Sequence, residues 1–289
     1  MTSLPPSLTH RFSTLASAYD VVLSDVWGVV HNGLAAWPDA CEALARYRAQ
    51  GGTVVLISNA PRPGDGVTRH LDRLRVPRTA YDAIVTSGDV TRAVMAKRAG
   101  EPMFHVGPER DLGIFAGLDA PQAPIEEAAY VVCTGPVNDE VETPDDYRDL
   151  LGRMRARSLF MICGNPDLVV ERGDRLVYCA GAIADLYRDM GGEVLYAGKP
   201  YRPIYDQALA KAAALRGGAT PHARVLAIGD SVRTDLTGAA DLGIDVLFVT
   251  SGIHAEELGG RDDPDLATLA RMFAEAKLAP KAVTRRLVW

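Results

Sequence analysis

The run Val21-Val22-Leu23-Ser24-Asp25-Val26-Trp27-Gly28-Val29-Val30 constrains the fold of this chain more than any other. It reads as an apolar strand that ends in one carboxylate and is followed at once by a glycine turn. Continuous apolar runs of this kind are buried on both faces, as in parallel sheets covered by helices. The C-terminal end of such a strand opens on the ligand crevice of an α/β sheet. A carboxylate placed there holds a cation or attacks an electrophile, because burying an unpaired charge is costly.

The rest of the chain alternates strand and helix without an internal repeat. Residues 21–24 and Thr53–Ser58 read as strands, and residues 38–50 carry apolar residues at helical spacing until Gly51-Gly52 stops them. A helix is expected over 65–75 and a short strand over Ala83–Thr86. Proline and acidic residues cluster between 120 and 146, among short strands at Tyr130–Cys133 and 159–163. Residues 168–179 read as a hairpin turning at Glu171-Arg172-Gly173-Asp174. Regular alternation returns at Glu193, with strands at 194–197, 224–228 and Asp245–Val249 and helices at 203–215 and 234–242. The pattern predicts a parallel α/β sheet built from two outer halves, with a separate α/β module inserted between roughly 88 and 192.

Composition narrows the function classes. The chain of 289 residues is 47% hydrophobic and 24% charged, as globular proteins are. A formal charge of −6 argues against a nucleic-acid groove or an anionic membrane surface. An anionic substrate then needs local attraction from a cation, a lysine or backbone amides. Residues 1–20 have no basic start and no long apolar run, so a cytoplasmic protein without a signal peptide is expected. Cys41, Cys133, Cys163 and Cys179 lack C-x-x-C spacing, which favours reduced buried thiols over a zinc site.

Four strand ends carry polar residues: Asp25, Ser58-Asn59, Gly198-Lys199-Pro200 and Gly229-Asp230-Ser231-Val232-Arg233-Thr234-Asp235. Lys199 is placed to meet a phosphoryl oxygen as a point charge. Asp230 and Asp235 straddle a strand-to-helix turn, so one can ligate a hard cation such as Mg²⁺ while the other orients it. Ser58 and the Asn59 amide can donate to the same anion. Taken singly, each residue reads as a cap, a turn or surface charge; together and in this order they do not.

These four elements resemble motifs I to IV of the haloacid dehalogenase superfamily, and most closely its subclass IIA, the NagD and p-nitrophenyl-phosphatase-like proteins. Cys163-Gly164-Asn165-Pro166-Asp167 is similar to that subclass's Asn-Pro-Asp element. The resemblance covers roughly residues 20–252. It implies a Rossmann-like core (1–87 and 193–289) with an inserted α/β cap (88–192). It implies a Mg²⁺-dependent phosphatase of a small phosphorylated metabolite, with Asp25 as the nucleophile that becomes an aspartyl phosphate. Mg²⁺ is then held by Asp25, the main-chain carbonyl of Trp27 and Asp230, with Asp235 in support. Ser58, Asn59, Gly28 and Lys199 bind the phosphoryl group, and Asn165 and Asp167 are candidates for the substrate-facing surface. A homodimer through the cap is a further expectation.

Trp27 departs from the pattern. Phosphatases of this family usually carry a second Asp two residues after the nucleophile, which protonates the leaving group. Indole cannot do so. His31 lies near enough in sequence to be weighed as a substitute, although a packed loop histidine is the simpler reading. The Asp-x-Trp-Gly-Val-x-His form, followed by Asn59-Ala60-Pro61-Arg62, resembles a bacterial subgroup of the subclass. Two alternatives stand beside the phosphatase: a phospho-ligand-binding protein on a weakened scaffold, and a hydrolase of another bond such as carbon–halogen.

Overall fold

The structure is a computed structural model and describes residues 8–9, 11–172 and 175–289. In chain order the strands are β1 Val21–Asp25, β2 Thr53–Ser58, β3 Ala83–Thr86, β4 Met103–Val106, β5 Tyr130–Cys133 and β6 Phe160–Cys163. They continue with β7 Val169–Arg172, β8 Arg175–Tyr178, β9 Val194–Tyr196, β10 Val225–Gly229, β11 Asp245–Val249 and β12 Ala282–Thr284. The helices are α1 Ser13–Ala16, α2 Pro38–Ala49, α3 Gly64–Arg73, α4 Ser87–Ala96, α5 Arg148–Ala156, α6 Ala180–Asp189, α7 Arg202–Arg216, α8 Thr237–Leu242 and α9 Leu266–Ala276.

The described residues form two compact units. The first takes in residues up to Ser58, Thr68–Val85 and Tyr205–Trp289. Its six-stranded sheet runs β12-β11-β10-β1-β2-β3. Every residue of β1, β2 and β10 is buried, as the apolar runs 21–23, 54–57 and 225–228 within them require. β1 lies between β2 and β10, parallel to both, with Val21 opposite Thr53 on one side and Val225 on the other. From β1 the chain adds strands first on one side and, after its return, on the other. The C-terminal ends of β1 and β10 therefore flank the point where strand order reverses, which is where open α/β sheets bind ligands.

The second unit comprises Asn59–Val67 and Thr86–Ile204. It reaches beyond residues 88–192 at both ends and takes in the segment after β2 as well as Lys199. Its sheet runs β4-β5-β6-β9, all parallel. α5 and α6 bury Leu151, Met154, Ile183 and Tyr187 against Val131 and Met161 of this sheet. The Tyr187 hydroxyl donates to the Leu159 carbonyl (2.6 Å), so its one polar atom is satisfied inside the core. β7 and β8 pair antiparallel, as the hairpin pattern predicts; Gly173 and Asp174 of the expected turn lie outside the described residues. Cys133 and Cys163 face each other across β5 and β6, and the four cysteines are free and buried. Burial pushes the Cys133 thiol up to about 12, so it stays protonated and poorly reactive.

Several boundaries differ from the sequence expectation. α3 stops at Arg73 rather than at residue 75, because Arg75 adopts a left-handed backbone (φ 64°) that ends the helical ladder. The helix expected over 234–242 begins instead as a wide π turn at Val232–Leu236, with α8 starting at Thr237. The cause lies in its polar residues. Leu236 N–H reaches five residues back to the Ser231 carbonyl (3.0 Å). The Asp235 carboxylate folds back to accept from Asp230 N–H (3.2 Å) and Ser231 N–H (3.1 Å). α4, which follows β3 directly, starts with a capping box that composition alone does not advertise: Thr86 Oγ1 accepts from Asp89 N–H (3.0 Å), and Thr86 N–H donates to the Asp89 carboxylate (3.0 Å).

Candidate functional site

In the first unit, Asp25, Asp230 and Asp235 converge. Each offers a carboxylate oxygen within 4.8 Å of the others. They are 7%, 4% and 2% exposed, respectively. Three like charges so close together and so far from water would repel strongly without a cation between them. An all-oxygen, carboxylate-rich donor set is the kind that hard divalent cations take. The residues present therefore fit a divalent metal.

The surrounding backbone holds these carboxylates in place. Asp25 is the last residue of β1, and Asp230 directly follows β10, its parallel neighbour. Asp230 Oδ2 accepts from Ile253 N–H (2.7 Å). Asp235 spends one oxygen on the two amides of its own turn. The chain comes very close to Asp230 at two glycines. A Cβ on Gly28 would lie 2.0 Å from Asp230 Oδ2, and one on Gly252 would lie 1.8 Å from it. Gly28 also has φ 86°, which disfavours any other residue there.

The turn after β1 is organised around His31. Val26 O accepts from Val30 N–H (2.9 Å) and His31 N–H (3.2 Å), while His31 O accepts from Gly28 N–H (2.8 Å). The His31 ring is buried, and its Nδ1 accepts from Gly33 N–H (2.9 Å). That bond fixes the neutral tautomer with the proton on Nε2. The ring packs edge-on against Trp27 (5.1 Å between centroids) and His70 (5.7 Å). Burial first, and the neighbouring His70 second, lower its pKa from 6.5 to about 4. His31 is thus a neutral, packed residue that shapes the turn. Trp27 is half-buried, and its indole covers Gly33, where a Cβ would sit 2.5 Å from Cζ2.

Ser58 ends β2, one residue beyond Ile57, which registers with Asp25. Ser58 is buried, and its position puts it at the same sheet edge as Asp25.

The remaining expected residues gather in the second unit. Lys199 is only 2% exposed, a rare state for an ammonium group. Its main chain is gripped by Asn59: Lys199 N–H donates to Asn59 Oδ1 (2.7 Å), and Asn59 Nδ2 donates to Lys199 O (3.1 Å). Asn165 Oδ1 accepts from Asp167 N–H (3.1 Å), an Asx turn that fixes the Asn165-Pro166-Asp167 corner. Gly181 packs against that corner; a Cβ there would lie 2.3 Å from Pro166 O.

Gly252 and the Ile253 amide were not legible as part of the site. A signal was nevertheless present, since Ser251-Gly252 closely follows the end of β11 and so forms one more polar strand end.

The chain's sequence matches two haloacid dehalogenase families, one described as haloacid dehalogenase-like hydrolase over residues 22–120 and one as HAD-hydrolase-like over residues 196–276. A haloacid dehalogenase-like hydrolase of Brucella suis is 48% identical, with a TM-score of 0.87, over 97% of this chain and 100% of that one. The chain belongs to the haloacid dehalogenase-like hydrolases. A D-glycerol 3-phosphate phosphatase of Mycobacterium tuberculosis is 25% identical over 248 residues. Those residues make up 84% of this chain, which spans 66% of that relative's length. A crystal structure of a glycerol phosphate phosphatase from the same organism, in complex with calcium, shares the fold at 24% identity. Its TM-score is 0.63 over 83% of this chain and 68% of that one. Among the described residues no helix is long and apolar enough to cross a membrane.

Two predictions follow from this geometry. Gly252→Ala forces a methyl group onto Asp230, so divalent-metal affinity measured by calorimetry should fall about 10–100-fold while the far-ultraviolet dichroism is kept. His31 binds its proton more weakly in the folded state than in the unfolded chain. Its contribution to stability is therefore complete above about pH 6.5 and is lost as the pH falls toward 4. Urea unfolding should show wild type losing roughly 2–3 kcal/mol more than His31→Asn over that range, because asparagine keeps an acceptor for Gly33 N–H but does not titrate. Equal pH slopes for the two proteins would remove His31 from this account.

Proposed function

We propose that this protein is a Mg²⁺-dependent phosphatase of a small phosphorylated metabolite, with Asp25 as the nucleophile. The observation that carries the reading is the convergence of three buried carboxylates at the ends of β1 and β10 in a haloacid dehalogenase-like hydrolase. Glycerol phosphate phosphatases among the relatives, one of them a calcium complex, support both the phosphomonoester substrate and a hard divalent ion. Residues 1–87 and 193–289 are assigned as the catalytic core and 88–192 as the cap.

In this reading one Asp25 oxygen attacks phosphorus in line with the ester oxygen, and the P–O bond to the alcohol breaks. The products of that step are an aspartyl phosphate and an alkoxide, which takes its proton from water. Water then attacks the phosphorus, inorganic phosphate departs, and the Asp25 carboxylate is restored. Asp25, the Trp27 carbonyl and Asp230 would hold a divalent cation, whose charge would offset the repulsion between carboxylate and phosphoryl oxygens. Asp235 holds the Asp230 turn. Ser58 and the Gly28 and Asn59 amides donate to the phosphoryl oxygens, and Lys199 supplies a fixed positive charge. Asn165 and Asp167 belong to the substrate-facing surface.

No side-chain acid stands at position 27, and His31 is neutral and engaged with Gly33. General acid catalysis contributes about 10²–10⁴-fold, so substrates with good leaving groups should be favoured. The same observation sustains a second reading, a phospho-ligand-binding protein on this scaffold.

Steady-state assay with p-nitrophenyl phosphate separates the two, because nitrophenolate departs without protonation. Turnover should require Mg²⁺, and Asp25→Asn should abolish it while the protein stays folded. Full activity in that variant or in EDTA would refute the assignment, and no turnover by wild type would favour the binding protein. Trp27→Asp should raise activity on an alkyl phosphate by about tenfold or more and change p-nitrophenyl phosphate hydrolysis much less. Thermal melting must accompany this measurement, because removing a packed indole can cost about 3–5 kcal/mol. A folded variant without a selective gain would make Trp27 a substrate-stacking residue rather than a replaced acid.

A further inference from the structure

The Asn59 side chain is saturated by bonds to residues more than a hundred positions away. Its Oδ1 accepts from Lys199 N–H (2.7 Å). Its amide nitrogen has two hydrogens, one donated to Lys199 O (3.1 Å) and the other to Asp167 Oδ1 (2.9 Å). The orientation of the amide is therefore determined: turned over, it would set its NH₂ against Lys199 N–H and its oxygen against a carbonyl and a carboxylate. Asn59 is only 4% exposed, and a Cβ on Gly198 would come within 2.4 Å of Asn59 Oδ1. Only a glycine at 198 lets the main chain pass this close to the amide.

Asp167 is constrained as well. Its N–H is tied to Asn165 Oδ1, and its carbonyl accepts from Gly181 N–H (3.1 Å). One primary amide thus links the backbone of the buried lysine to the carboxylate of the Asn165-Pro166-Asp167 corner. An aspartate at position 59 would keep the acceptor but lose both donors and would face Asp167 with a like charge. Serine or alanine would keep neither span.

We propose that Asn59 is a positioning residue that locks Lys199 to the Asn165-Pro166-Asp167 corner, so that the phosphate-binding cation and the substrate-facing turn are held as one rigid piece. This rests on the reading of Lys199 as a phosphate ligand. The side chain of Asn59 acts through Lys199 and does not itself touch the phosphate. Substrate discrimination at the corner is then coupled to phosphate affinity: a substrate that displaces Asp167 also loosens the lysine.

The experiment measures inorganic phosphate binding to the full chain by calorimetry with Mg²⁺ present. Phosphate carries no leaving group, so contacts of Asp167 with the rest of a substrate do not enter. Asn59→Asp should weaken phosphate about tenfold or more, in line with the loss of hydrogen bonds to charged groups. Adding Asp167→Asn in that background recreates the link with its polarity reversed, the new amide donating to the new carboxylate, and should recover part of the affinity. In the otherwise native chain, Asp167→Asn keeps an acceptor for Asn59 and should bind phosphate at least threefold more tightly than Asp167→Ala, which keeps none. These last two variants decide the matter if Asn59→Asp does not fold. A residue that merely supports the fold would shift the melting temperature without this pattern of rescue. Wild-type affinity in Asn59→Asp, or equal affinities in Asp167→Asn and Asp167→Ala, would overturn the proposal. A wild-type protein that neither binds phosphate nor hydrolyses esters would instead overturn the phosphatase reading on which it rests.

Discussion

The mutual repulsion of Asp25, Asp230 and Asp235 is the constraint around which the first unit is arranged. Buried carboxylates within 4.8 Å of one another resist folding unless the protein and a bound cation compensate them. The compensation begins in the backbone. Amides of Asp230, Ser231 and Ile253 point at the carboxylates, and Gly28 and Gly252 let main chain approach where a side chain would collide. Such a cluster is expensive for stability and useful for chemistry, which is why strand ends rather than strand centres carry it. The parallel pairing of β1 with β10 then brings Asp25 and Asp230 together although 205 positions separate them in sequence.

How much of this was legible follows from the range of the forces involved. β1, β2, β3 and β11 announce themselves as apolar runs ending in polar residues, because burial on both faces leaves no freedom of composition. Asp25 and Asp230 are readable for the same reason, since charged residues at the ends of such runs have few structural excuses, and Asp235 follows in the next turn. The π turn at Val232–Leu236 is not readable, because it depends on where the Asp235 side chain folds after the turn has formed. The strand Met103–Val106 is short and half of its residues are only partly buried, so its periodicity is weak. Asn59 is the clearest case. A lone asparagine after a strand suggests a turn, and nothing local says that its amide will bind Lys199, 140 positions on.

Trp27 and His31 show how one turn can serve both geometry and chemistry. The main chain between them closes on itself through Val26 O and His31 O, and the two rings close the turn from the side. The indole at position 27 gives the turn a rigid apolar plate and no side-chain carboxylic acid. The neutral state of His31 is part of the same arrangement: protonating Nδ1 would break its bond with Gly33 and charge a packed ring. The turn is therefore held by main-chain bonds and ring packing, with its histidine kept neutral.

The order of strands also has a consequence for how the chain is made. β1 and β2 leave the ribosome early and can pair at once, but the other long edge of β1 belongs to β10, which begins only at Val225. For about two hundred residues of synthesis, on the order of 10–40 s at typical rates, a largely apolar strand presents an unmatched row of amides and carbonyls. The four-stranded sheet β4-β5-β6-β9 lies within one uninterrupted stretch of chain and is complete well before β10 appears. Biosynthesis thus finishes the four-stranded sheet first and leaves one edge of β1 unpaired until β10 emerges, which makes nascent β1 a segment in need of chaperone protection.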